Sequence, residues 1–115
     1  MTRLAIVGGR DFSDQALFNK TMLMWEESGV TEVVSGGARG ADSMAESWAR
    51  YHNIPIKVFL PEYDKYPGHL APLMRNSQIV KYADQGIAFP GANGTRDTIN
   101  KFKAAGKPCV IVRYQ

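Results

Sequence analysis

Arg10, Arg39, Arg75 and Asp42 are the side chains of this 115-residue chain best placed to do chemistry, because they fall at strand ends or helix starts. An arginine offers a planar fork that matches a phosphate. Arg10 stands out because it follows Gly8-Gly9 directly. Taken singly, an arginine at such a position is more often a solvated surface residue. Asp42 belongs to the first turn of a helix, where a carboxylate is stabilised by the helix dipole. It can serve there as a cap, or accept a hydrogen bond from a ribose hydroxyl, as the acids of Rossmann domains do.

Two stretches position these groups. Ser35-Gly36-Gly37-Ala38-Arg39-Gly40-Ala41-Asp42 follows the β-branched run Glu32-Val33-Val34. It precedes a helical stripe of Ala41, Met44, Ala45, Trp48, Ala49 and His52. The second stretch repeats the layout: Gly86 to Phe89 as a strand, Pro90 to Thr95 as a turn, then Thr98, Ile99, Phe102 and Ala105 along a helix. A strand, a glycine turn and a helix N-terminus present unpaired N–H groups that favour an anion. Neither stretch carries the Gly-Lys-Ser/Thr of a P-loop or a full Gly-x-Gly-x-x-Gly. Glycines that merely permit a tight turn account for one such loop; two in one small chain favour a shared ligand.

The remaining elements alternate. Leu4 to Val7 predicts a strand buried on both faces, and Ser13 is placed to cap a helix from Asp14 to Ser28. Leu17, Thr21, Met24, Trp25 and Ser28 share one side of that helix. Ile56 to Leu60 is the third strand, Glu62 to Leu70 a loop, and Pro72 opens a helix carrying Leu73, Asn76, Val80 and Ala83 on one face. Asn76, on the packed face, suits a bridge to buried backbone. Tyr63 and Tyr66 are candidates to stack on a base, or plain edge-of-core residues. Cys109 to Arg113 is the fifth strand, with Cys109 buried in it.

This alternation predicts one α/β domain over residues 1–115: a three-layer Rossmann-like fold with a five-stranded parallel sheet. The order 3-2-1-4-5 brings every glycine-bearing loop to one crevice; in the order 2-1-3-4-5, strand three would part them. The net charge of +3 suits a phosphate-bearing ligand and is too weak to demand nucleic acid. His52 and His69 are far apart and no cluster has metal-ligand spacing, so no metal and no cofactor are expected. One cysteine excludes a disulfide framework. The absence of a signal-like start or a membrane-length apolar run predicts a cytoplasmic protein with no membrane partner.

Four motifs in register resemble the SLOG superfamily, above all its YspA/YpsA-related branch: Gly8 to Phe12, Ser35 to Asp42, Arg75-Asn76, and Phe89 to Thr95. The resemblance spans nearly the whole chain. It implies a Rossmann-like domain that senses or processes nucleotides or signals derived from them. The superfamily includes the DNA-processing protein DprA and the LOG phosphoribohydrolases. The ligand site it implies comprises Gly8, Gly9, Arg10, Gly36, Gly37, Ala38, Asp42, Arg75, Gly91, Ala92, Asn93, Gly94 and Thr95. LOG enzymes carry Pro-Gly-Gly-x-Gly-Thr-x-x-Glu with a catalytic final Glu. Here Ala92 replaces a glycine and Thr98 stands at the Glu position, with Asp97 about 100° away round the helix. The binding half of that site is present, and no catalytic residue is assigned.

The function expected is therefore capture of a nucleotide-derived small molecule, as sensor or sponge. The alternatives are a phosphoribohydrolase-like enzyme and a DprA-like binder of single strands, the latter weakened by the lack of a strongly basic, aromatic-rich surface. Trp25, Trp48, Met22 and Met24 exceed what one face of each helix need bury, so a homodimer or higher symmetric oligomer through helix one or two is expected. The same tryptophans capping a monomer's core is the alternative.

Overall fold

Short apolar strands too buried to alternate with polar residues must be covered on both faces, and the helices that link them do so. The computed structural model describes residues 2–114. The elements are β1 (Thr2–Val7), α1 (Gln15–Met22), β2 (Val30–Ser35), α2 (Ala41–Tyr51), β3 (Ile56–Val58), α3 (Ala71–Tyr82), β4 (Gln85–Ala88), α4 (Asn93–Ala104) and β5 (Cys109–Ile111). All strand pairs are parallel, and the sheet order is β3-β2-β1-β4-β5. The chain builds outward from β1 to β3, then returns to pair β4 with β1, Leu4 opposite Gln85 through Val7 opposite Ala88. The order reversal between β1 and β4 opens a crevice at the carboxyl ends of the strands.

Successive residues of β1 serve opposite layers. Leu4 and Ile6 pack with Leu17, Phe18 and Met22 of α1 and Ala45, Trp48 and Ala49 of α2. Ala5 packs with Ile79 and Val80 of α3 and Phe102 of α4. Lys107 fastens the second layer: its Nζ donates to the carbonyls of Val80, Lys81 and Ala83 at 2.8, 3.1 and 2.8 Å. Those are the acceptors that the end of α3 leaves unpaired. Among the described residues, no helix is long and apolar enough to cross a membrane.

Several local expectations are corrected. Helix α1 ends at Met22 and passes into a 3₁₀ turn, Leu23–Trp25, instead of running to Ser28. Its buried residues are Leu17, Phe18 and Met22. Thr21 turns its hydroxyl back to the Leu17 carbonyl at 2.8 Å, and Met24 is 80% exposed. The cap is Asp14, whose Oδ1 accepts from the Leu17 N–H at 3.0 Å, not Ser13. In α3 the buried set is Ala71, Asn76, Ile79 and Val80, with Leu73 outside it. Strand β5 is an edge with one neighbour, so Cys109 is half-buried and Val110 and Ile111 are exposed. The apolar surplus used to argue for an oligomer also shrinks: Met22 and Trp48 are buried in the core, and Trp25 packs against it.

Candidate functional site

Three loops at the carboxyl ends of β1, β2 and β4 lock together by backbone contacts. Gly9 donates its N–H to the Pro90 carbonyl at 3.0 Å, and the Gly9 carbonyl accepts from the Ala41 N–H at 3.3 Å. Gly40 makes this approach possible. Its φ is +75°, and a Cβ there would lie 2.4 Å from the Gly9 carbonyl oxygen. No other residue type fits without moving the β1 loop.

The interlocked loops wall a cleft of about 570 Å³, within the roughly 300–1,000 Å³ of small-molecule sites. From the expected set it brings together Gly8, Gly9, Arg10, Gly36, Ala38, Asp42, Arg75, Gly91, Ala92, Gly94 and Thr95. Gly37 and Asn93 do not line it. The open side of Gly37 faces Val58 and Leu60 instead, and Asn93 is exposed at the head of α4. Arg39 does not line the cleft either; it pairs at 3.2 Å with Asp11, an exposed residue of the cleft's lining. Tyr63 and Tyr66 also stand outside the wall, and Tyr114 with Phe12 supplies its aromatic side. Phe12 lies between Phe89 and Tyr114, at ring separations of 5.2 and 6.2 Å. No periodic signal marked Tyr114, because it follows the last strand.

Asp42 and Arg75 face each other across Gly36. Asp42 Oδ2 accepts the Ala38 N–H at 3.1 Å, folding the glycine loop back onto the first turn of α2. Burial pushes the Asp42 carboxyl up to about 6; the Ala38 N–H and Arg75 oppose the shift, and Glu46 adds to it. Arg75 donates from Nη1 to the Gly36 carbonyl at 2.7 Å and from Nε to Asn76 Oδ1 at 3.0 Å. Burial lowers its pKa, with Asp42 acting the other way. Below them, Ser35 Oγ receives the Gly37 N–H at 3.1 Å and donates to Glu46 at 2.9 Å.

Asn76 is buried and spends its amide group on the first turn of α4. Its Nδ2 donates to the Gly94 carbonyl at 3.3 Å and to Asp97 Oδ2 at 3.1 Å. Asp97 also holds Lys101 at 2.7 Å and does not line the cleft. Thr98, at the position of the LOG glutamate, lines the cleft but donates its hydroxyl to the Gly94 carbonyl at 3.1 Å. Neither α2 nor α4 has a side-chain cap, since Gly40 and Ala92 occupy the cap positions. At the cleft, then, the first-turn N–H groups of α4 have no side-chain acceptor. Among the described residues no group of three or more His, Cys, Asp and Glu side chains could hold a metal ion.

The family described as YAcAr, the YspA, cpYpsA-related SLOG family, matches this chain over residues 2–66. The chain belongs to this SLOG family. The Gene 61 protein of Mycobacterium phage D29 is similar to it, 36% identical in an alignment of 85 positions that covers 68% of each chain. Two solved structures share the fold. DNA processing protein A (DprA) from Streptococcus pneumoniae aligns with 98% of this chain at TM-score 0.78 and 17% identity. This SLOG chain spans 50% of that protein's length. The structural-genomics target TM1055 aligns with 95% of this chain and 72% of its own, at TM-score 0.74 and 21% identity. At these identities the likeness concerns the fold. The family match covers the loops after β1 and β2; the loop after β4, with Gly91 and Gly94, lies beyond it.

Proposed function

We propose that this SLOG domain binds a nucleotide or a nucleotide-derived signalling molecule in the cleft between the loops after β1, β2 and β4. The observation that carries the reading is the uncapped N-terminus of α4, which opens on the same cleft as Arg10 and Arg75. Backbone N–H groups at a helix start favour a phosphate, and two guanidinium groups complement it. Asp42, beside Arg75 across Gly36, suits a ribose hydroxyl. The cleft holds both charge signs and an aromatic edge, as a nucleotide requires.

A second reading, cleavage of a nucleotide N-glycosidic bond, rests on Asp42 alone. A buried carboxyl near 6 can exchange a proton at neutral pH. Binding without turnover is favoured because the hydroxyl of Thr98 is committed to backbone. Incubation with a panel of nucleotides, followed by calorimetry and mass spectrometry of the mixture, separates the two. Intact retained ligand supports capture, and released base supports catalysis. Failure of every phosphate-bearing nucleotide to bind overturns both.

The reading extends to a homodimer whose contact lies on the end of α1. Leu23 and Met24, on the 3₁₀ turn, are the large apolar side chains left open there. A two-fold contact is the commonest way to cover such side chains.

A further inference from the structure

A second cavity, of about 490 Å³, lies beside the first along the carboxyl edge of the sheet, outside β4 and β5. The two cavities share the 90–92 loop, Thr95 and Tyr114 as a common wall. Its floor is apolar, made by Ile99 of α4 and by Ile111 and Val112 at the end of β5. Among the described residues, its only charged lining ones are Arg96 and Arg113. Neither has a carboxylate partner among the described residues. Tyr114, 62% exposed, turns one aromatic side chain to both cavities. The Val112 N–H holds the Ala88 carbonyl at 2.8 Å, so the end of β5 is tied to β4 rather than swinging free.

We propose that this second cavity is the subsite for the far half of a phosphate-linked dinucleotide. The inference rests on the nucleotide reading of the first cleft. One phosphate lies on the N-terminus of α4, which forms the ridge between the cavities. The linker crosses the 90–92 loop toward Arg96 and Arg113. The second base lies on the apolar floor against Tyr114, since flat rings gain from aromatic and aliphatic contact. Two arginines without a carboxylate partner among the described residues, over an apolar floor, match a group that is both anionic and aromatic. A mononucleotide fills the first cleft and leaves the second cavity unused.

The test compares AMP and GMP with diadenosine and diguanosine tetraphosphate by calorimetry at fixed ionic strength, with a six-residue single strand of DNA as a third probe. The matching dinucleotide is expected to bind at least tenfold more tightly than its mononucleotide, the scale of one or two added hydrogen bonds to charged groups. The Arg96→Ala, Arg113→Ala double variant should lose that advantage and keep wild-type affinity for the mononucleotide. Both arginines are exposed, and thermal melting verifies that the variant folds. Equal affinity for mono- and dinucleotide overturns the subsite while leaving the first cleft intact. So does a double variant that weakens both ligands alike, or that weakens neither. Preference for the DNA strand with a steep salt dependence overturns it in favour of strand binding. No binding of any nucleotide removes the first cleft's reading, and the subsite with it.

Discussion

Asn76 links Arg75 to the first turn of α4: its Oδ1 accepts from Arg75 Nε at 3.0 Å while its Nδ2 donates to the Gly94 carbonyl at 3.3 Å. One buried amide thus sets the angle of a guanidinium and holds the first turn of α4. Asn76→Ala leaves the Gly94 carbonyl its bond from Thr98 and leaves Asp97 its bond from Lys101. Arg75 alone loses a partner that nothing replaces. The variant should lose about 1–2 kcal/mol of stability in urea unfolding, the scale of a buried hydrogen bond. It should lose more affinity for a nucleoside monophosphate than for the parent nucleoside. Equal losses for the two would assign Asn76 a purely structural role.

Gly91 and Gly94 separate packing from ligand approach. A Cβ at Gly91 would lie 2.1 Å from Thr95 Oγ1 and 2.8 Å from the Gly9 backbone nitrogen. Gly91→Val should therefore destabilise the fold, by roughly 2 kcal/mol or more. A Cβ at Gly94 meets nothing within 4 Å. Gly94→Ala should raise stability by about 0.5–1 kcal/mol, through the helix preference for alanine. Gly94→Val should fold and bind phosphate-bearing ligands weakly, because its side chain enters the space a phosphate would take. Thermal melting paired with calorimetry on the three variants checks the set.

Arg75→Ala and Arg10→Ala should each weaken a nucleotide by about 1.5–3 kcal/mol, with a smaller effect on the nucleoside. The two differ in a second readout. Arg75 holds the Asp42 carboxyl down, so its removal should carry the Asp42 titration above 6, visible in the carboxyl carbon shift by NMR. Arg10, a weaker influence on Asp42, should move it less.

Asp42 makes stability depend on pH in a defined direction. Its carboxyl titrates near 6 in the fold against 3.8 ordinarily, so the folded state holds the proton more tightly. That contribution is complete below about 3.8 and is lost as pH rises through about 6. Asp42→Asn carries no such loss. Relative to wild type, its stability should improve by about 1–3 kcal/mol between pH 4 and pH 8. Urea unfolding at the two pH values measures the difference; a constant gap would refute the burial argument. An uncharged nucleoside, free of phosphate titration, should bind wild type more tightly as pH rises through 6, and the Asn variant at one affinity throughout.

The proposed dimer has a direct measurement. Light scattering at micromolar concentration should give about twice the chain mass of 12.7 kDa. Leu23→Ser with Met24→Ser should return it to the monomer value. A wild-type mass of one chain, with or without nucleotide, removes the assembly.

Local chemistry made much of this protein legible from its residues. Each loop that turns from strand to helix carries glycines, and five short strands alternating with helices, too few to close a barrel, bury themselves as a parallel sheet between two helical layers. The sheet order followed from requiring the glycine loops to meet. Asn76 was readable as a bridge because a polar residue on a packed face must find partners.

What the sequence left open depends on contacts between residues remote along the chain. The end of α1 was decided by Phe18 and Met22 reaching the core, which leaves Met24 in solvent despite its helical spacing. Gly37 and Asn93 sit inside motifs that face the cleft, yet backbone direction turns them away from it. Tyr114 entered the wall only because β5 lies beside β4 and the residues after it bring the Tyr114 ring to Phe12. For Asp42 the sequence allows both a helix-start cap and a ribose acceptor, and neither reading predicts its titration. Its shift toward neutral pH arises from burial, against which Arg75 and Arg10 act from remote parts of the chain, so it is a property of the assembled site and of no single stretch.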